Sequence, residues 1–122
     1  MNKISFIGLG NMGTPMVSNL LKHKYDVKVF DINKNNYKPF KKTNAIIVEK
    51  KLELSEDKRI FISMLPDGDS LKKLVLGKNG LLNNLKKNSI FIDCSSVDYN
   101  TTVVISEKMK KKGVYFLDSP VS

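Results

Sequence analysis

The 122-residue chain is 41% hydrophobic with seven glycines and four prolines, the length and composition of one globular domain, which excludes disorder and a collagen-like fibre. Its 21 basic residues against 12 acids give a net charge of +9, but Arg59 is the one arginine among them, so the lysines read as a solvated surface rather than as the forks and platforms of a specific nucleic-acid reader. The single cysteine, Cys94, closes no internal disulfide, and no apolar stretch approaches the ~20 residues that cross a bilayer, so a cytoplasmic chain without signal peptide, transit peptide or membrane span is expected.

Ile4 to Ile7 is a β-branched and aromatic run closed by Gly8, the pattern of a buried central strand. Asn11 to about Lys22 follows as a helix, with Met12, Met16, Val17, Leu20 and Leu21 on one face and Pro15 tolerated in the first turn. Tyr25 to Phe30 is the second strand and leads into Asp31. Lys34 to Lys42 reads as a poor helix interrupted by Pro39, and Ala45 to Val48 as a short third strand.

Arg59 to Leu65 is a fourth strand stopped by Pro66, and Asp67 to Leu76 carries a helical pattern with Leu71, Leu74 and Val75 on one side. Ser89 to Cys94 is the fifth strand, with Cys94 inside it as a small buried residue. Tyr99 to Lys112 is a helix ended by Gly113, and Val114 to Leu117 the sixth strand. Strands alternating with crossover helices imply an α/β, doubly wound parallel sheet, because each connection must return the chain to the same end.

Between the first strand and helix, Gly8-Leu9-Gly10-Asn11-Met12-Gly13 forms a G-x-G-x-x-G turn. Gly8 permits the tight turn, Gly10 lets a pyrophosphate approach the backbone, and Gly13 lets the helix pack closely. The amides around Asn11 and Met12 face the anion with the helix dipole behind them. Asp31 stands 21 residues after Gly10, at the place of a ribose-binding carboxylate. Such an acid repels a 2′-phosphate, which favours NAD over NADP, although Lys34 nearby could offset part of that repulsion. Asp31 also reads as a helix N-cap, and Ser95 and Ser96 as an ST-turn or cap for the next helix. His23 reads as a helix-end residue, and no cysteine and histidine spacing makes a metal site.

The run Gly8 to Met16, followed by Asn19-Leu20, resembles the N-terminal signature of the β-hydroxyacid dehydrogenases, on the 3-hydroxyisobutyrate dehydrogenase branch. The cofactor domain of that family is also called the 6-phosphogluconate dehydrogenase NAD-binding domain. Met64-Leu65-Pro66, Asp93-Cys94-Ser95-Ser96-Val97 and Asp118-Ser119-Pro120-Val121-Ser122 agree with it in order and spacing.

The resemblance implies a Rossmann-type sheet of about six strands in the order 3-2-1-4-5-6. It also implies a cofactor site of Gly8, Gly10, Asn11, Met12, Gly13 and Asp31, with Leu65, Pro66 and Ser96 at the nicotinamide end. Ser96 and Ser122 would touch the substrate carboxylate. Ser70 stands where relatives often carry Asn. The family's catalytic lysine lies on a C-terminal all-helical domain, so residues 1–122 are expected to be the dinucleotide-binding domain alone, with no catalytic residue and no activity of its own.

The implied full-length enzyme is a homo-oligomer that oxidises a 3-hydroxy acid to its semialdehyde with NAD. Weak self-association of the isolated domain is expected through apolar surface that a further helix would cover. The alternatives are an NADPH-dependent glyoxylate or succinic semialdehyde reductase of the same family, and a non-catalytic dinucleotide- or polyanion-binding module that uses the charge.

Overall fold

The computed structural model describes residues 2–57 and 59–121. A six-stranded sheet, all parallel, runs in the order β3-β2-β1-β4-β5-β6. Its strands are β1 Lys3–Ile7, β2 Asp26–Phe30, β3 Ile46–Ile47, β4 Ile60–Ser63, β5 Ile90–Asp93 and β6 Tyr115–Asp118. Helices α1 Gly13–Lys22, α2 Gly68–Leu76 and α3 Tyr99–Lys112 make the crossovers. This is the doubly wound Rossmann-type fold read from the sequence.

The alternation along each strand decides which helix it meets. Phe6 of β1 and Val29 of β2 pack with Val17, Met16 and Leu20 of α1. Ile7, Phe61 and Phe91 point to the other side, where Leu71, Leu74 and Val75 of α2 and Ile105 and Met109 of α3 cover them. Parallel register sets Phe61, Phe91 and Phe116 side by side on β4, β5 and β6, with ring centroids 6.1 and 6.0 Å apart. The sheet is therefore tied laterally by aromatic contacts as well as by its ladders.

At the amino ends of the strands Arg59 acts as a buried clamp. Its guanidinium donates to the carbonyls of Ile4 and Asp26 and to the Asp57 carboxylate, the last at 3.0 Å. The hydrogen bond from Arg59, with Lys3 nearby, holds the Asp57 carboxyl below its usual range. Lysine is not confined to the surface: Lys28, in the middle of β2, is buried, and its ammonium donates to Glu53 O at 2.8 Å.

Several boundaries differ from the sequence expectation. The first helix starts at Gly13 rather than Asn11: the Thr14 amide donates to Gly10 O at 3.0 Å, but Pro15 has no amide to donate to Asn11 O, so continuous helical hydrogen bonding begins one step later. Lys34–Phe40 is a 3₁₀ segment, not an α-helix; Asn33 caps it by accepting from the Asn35 amide, and Tyr37 and Phe40 anchor it in the core. Further 3₁₀ segments, Lys51–Ser55 and Leu81–Asn84, were not foreseen; each sinks one leucine, Leu54 or Leu81, fully into the core. The third strand shrinks to Ile46–Ile47, and Cys94 lies just past β5 rather than inside it, still buried, with its amide bonded to Ser63 O. His23 ends α1 as expected, its Nδ1 2.9 Å from Asn19 O. Gly113 closes α3 in the left-handed region, at φ 79°.

Candidate functional site

The carboxyl ends of β1, β2 and β4 open onto a cleft of about 550 Å³, within the range of small-ligand sites. Gly8, Gly10, Asn11, Met12 and Gly13 form one side, Asp31, Ile32 and Asn36 the end beyond β2, and Met64, Leu65 and Pro66 the wall beyond β4.

The three glycines of the turn differ physically. Gly8 adopts φ +103°, and a Cβ there would lie 2.1 Å from Met64 O. A Cβ on Gly13 would lie 1.8 Å from Gly8 O, so the first turn of α1 must pass the turn without a side chain. Both glycines are required by the fold itself. At Gly10 a Cβ would meet nothing within 4 Å, and its φ is not in the left-handed region. Space beside Gly10 is left open on the cleft side, where a ligand backbone could approach.

Helix α1 begins next to Gly10 with no side-chain cap. The other two helices are capped by acids: Asp67 accepts from the Ser70 amide at 2.8 Å, and Asp98 from the Thr101 amide at 3.1 Å and its hydroxyl at 2.7 Å. Those hydrogen bonds hold both carboxyls below their usual range. At the start of α1 the Thr14 amide donates to Gly10 O and Pro15 has none, so the amides of Met12 and Gly13 and the positive dipole end are those that can meet an anion.

Asp31 does not hang free in the cleft. Its Oδ2 accepts the Leu9 amide at 2.8 Å and Asn36 Nδ2 at 3.1 Å, and its Oδ1 accepts the Asn33 amide at 2.8 Å. A carboxylate offers about four acceptor positions, so its orientation is set before any ligand arrives. Tyr37, buried behind it, accepts the Asp31 amide at 3.1 Å and lies 2.8 Å from Val48 O and 3.0 Å from Asp31 O as a donor. Burial pushes the Tyr37 hydroxyl above its ordinary pKa. Lys34 Nζ lies 4.0 Å from Glu49 Oε1, with both side chains exposed.

Beyond β4 and β5, Asp93 is fully buried and takes hydrogen bonds from Ser63 and Ser95, while Ser95 Oγ accepts the Leu65 amide. Burial raises the Asp93 pKa against those hydrogen bonds, and the neighbouring Asp118 adds to the rise.

Eight of the sequence-predicted residues, Gly8, Gly10, Asn11, Met12, Gly13, Asp31, Leu65 and Pro66, line one cleft. Ser96 does not: it is exposed past Ser95, outside the cleft lining. Neither serine caps α3, whose cap is Asp98. Ser122 lies outside the described residues. Ser70 lines the cleft, as do Asn36, Lys51 and Lys73, none of these three foreseen. Lys73 follows Ser70 at helical spacing on α2, and Lys51 follows the carboxyl end of β3; aligning strand ends would have found the latter. Among the described residues no cluster of three metal-ligating side chains occurs, and no helix is long and apolar enough to cross a membrane.

A family model described as the NAD binding domain of 6-phosphogluconate dehydrogenase matches residues 3–122. The mitochondrial 3-hydroxyisobutyrate dehydrogenase of Mus musculus is 36% identical over 119 residues, covering 98% of this chain and 36% of that protein. The 3-hydroxyisobutyrate dehydrogenase of Pseudomonas aeruginosa is 38% identical over 122 residues, covering 100% and 41%. In three dimensions the Mycobacterium tuberculosis 3-hydroxyisobutyrate dehydrogenase with L-serine superimposes with a TM-score of 0.89 at 28% identity, over 100% of this chain and 41% of that one. The chain thus spans roughly two-fifths of the length of these relatives. A nicotinamide dinucleotide is the cofactor of the matched family, and the open face of Gly10 with the uncapped start of α1 fits its pyrophosphate. The chain belongs to the family of the 6-phosphogluconate dehydrogenase NAD-binding domain.

Proposed function

We propose that this chain is the cofactor-binding part of an enzyme that oxidises a 3-hydroxy acid of the 3-hydroxyisobutyrate type to its semialdehyde, with NAD preferred over NADP. The observation that carries the cofactor reading is Gly10: nothing in the fold fills the place of its missing side chain, unlike Gly8 and Gly13. A dinucleotide phosphate approaching the backbone there accounts for the absence of a Cβ.

The amides at the start of α1 bind the pyrophosphate, and the fixed Asp31 carboxylate takes the ribose hydroxyls while opposing a 2′-phosphate. Leu65 and Pro66 wall the nicotinamide end. When bound, the nicotinamide supplies the hydride acceptor. Ser96, exposed past β5, and Ser122 are assigned to the substrate carboxylate from the resemblance, and the catalytic base to a separate all-helical domain. The exposed Tyr115 and Leu117 of β6 support weak self-association of this chain, read out as a concentration-dependent mass in sedimentation.

Calorimetric titration of the 122-residue chain with NAD⁺ and NADP⁺, followed by an activity assay with 3-hydroxyisobutyrate, tests the reading. NAD⁺ binds more tightly and turnover is absent. Tighter binding of NADP⁺ would overturn the role given to Asp31 and favour the NADPH-dependent reductase reading, for which Lys51 and Lys73 in the cleft are the supporting feature. Turnover by this chain alone would overturn the assignment of the base.

A further inference from the structure

Asp93 ends β5 in register with Ser63 of β4 and Asp118 of β6, and its side chain is fully buried. One oxygen does all its bonding. Oδ1 accepts from Ser63 Oγ at 2.7 Å, from Ser95 Oγ at 2.7 Å and from the Ser95 amide at 3.2 Å. Oδ2 has no hydrogen-bond partner among the described residues. A buried carboxyl oxygen without a partner opposes folding, so an aspartate here is not explained by stability alone.

The direction of the chain of hydrogen bonds shows what the carboxyl does. The Leu65 amide can only donate, and it donates to Ser95 Oγ at 2.7 Å. Ser95 has one hydroxyl proton, which must therefore go to Asp93. With that proton drawn to Oδ1, the serine lone pair is aimed at Leu65. Pro66 follows and has no amide hydrogen, so the Leu65 amide is the donor that ties this bend of backbone to the neighbouring strand end.

We propose that Asp93 is a positioning residue that acts through Ser95 to fix the Leu65–Pro66 backbone at the nicotinamide end of the cleft. The proposal rests on the cofactor reading above. Its function is met by an acceptor at Oδ1 and does not need the second oxygen.

Titration of the wild-type chain and of Ser95→Ala, Asp93→Leu and Asp93→Asn with NAD⁺ and with ADP-ribose, which lacks the nicotinamide, decides it. Ser95→Ala and Asp93→Leu weaken NAD⁺ roughly five- to tenfold while ADP-ribose changes less than about twofold, and Asp93→Asn, which keeps the acceptor, stays within about twofold of wild type for both. Equal losses for the two ligands, or no loss of NAD⁺, overturn the proposal. So does a Ser95→Ala chain that fails to fold, which would make the serine purely structural; if only Asp93→Leu fails to fold, Ser95→Ala decides alone. A wild-type chain that binds neither ligand instead defeats the cofactor reading itself.

Discussion

The Asp31 carboxylate accepts the backbone amide of Leu9 at 2.8 Å, joining the end of β2 to the glycine turn that leaves β1. The acid therefore shapes the turn as well as facing the ligand. Asp31→Ala should lower NAD⁺ affinity roughly ten- to a hundredfold, the scale of lost hydrogen bonds to a charged group, and lower NADP⁺ affinity less. Parallel titrations with the two dinucleotides check this; an unchanged ratio contradicts it.

The glycine turn gives a separable pair of substitutions. Gly10→Ala leaves stability within about 0.5 kcal/mol, because the added methyl meets open space, yet weakens NAD⁺ roughly tenfold or more by standing where the pyrophosphate lies. Gly13→Ala drives a Cβ into Gly8 O and costs about 3 kcal/mol or more. Urea melts combined with binding titrations separate the two effects.

Tyr37 does not line the cleft but pins the backbone on which Asp31 sits. Tyr37→Phe removes the acceptor of the Asp31 amide and a donor to Val48 O, and should cost about 1–3 kcal/mol in denaturant melts. A loss below a few tenths would show that the bonds are replaced by water.

Asp93 carries a pH signature whose sign follows from burial. Its folded pKa is raised, so the favourable contribution is complete below the unfolded value of about 3.9 and is lost as pH rises through the folded value. Asp93→Asn does not titrate, so wild type should lose stability relative to it across that window and run parallel above it. Urea melts from pH 4 upward give the difference; a constant offset contradicts the burial argument.

How far the sequence reads into the structure depends on the range of the forces involved. Strands such as Ile4–Ile7 and the helix at Tyr99–Lys112 were legible because their periodicity and end signals, such as Gly113, are local. The glycine turn and Asp31 were legible because their spacing carries its own chemistry. Lys34–Phe40 and Lys51–Ser55 were not, since tertiary contacts of Tyr37, Phe40 and Leu54 hold these segments in 3₁₀ form against weak propensity. The burial of Lys28 was not legible because its acceptor, Glu53 O, comes from a 3₁₀ segment 25 residues away. The sequence reading assigns Ser96 the ligand role and Ser95 only a turn or cap; the fold buries the Ser95 hydroxyl against Asp93 and leaves Ser96 exposed.

Acids close the starts of α2 and α3, while α1, which leaves the glycine turn, begins without a side-chain cap. Part of the structure is left for the ligand to complete, so ligand occupancy and resistance to unfolding are coupled. At a hundredfold excess over the dissociation constant a dinucleotide adds about 2.7 kcal/mol. The melting temperature of the chain thus becomes a readout of free dinucleotide, and a crowded pool of nicotinamide cofactor would protect this polypeptide from proteolysis as effectively as a well-chosen mutation.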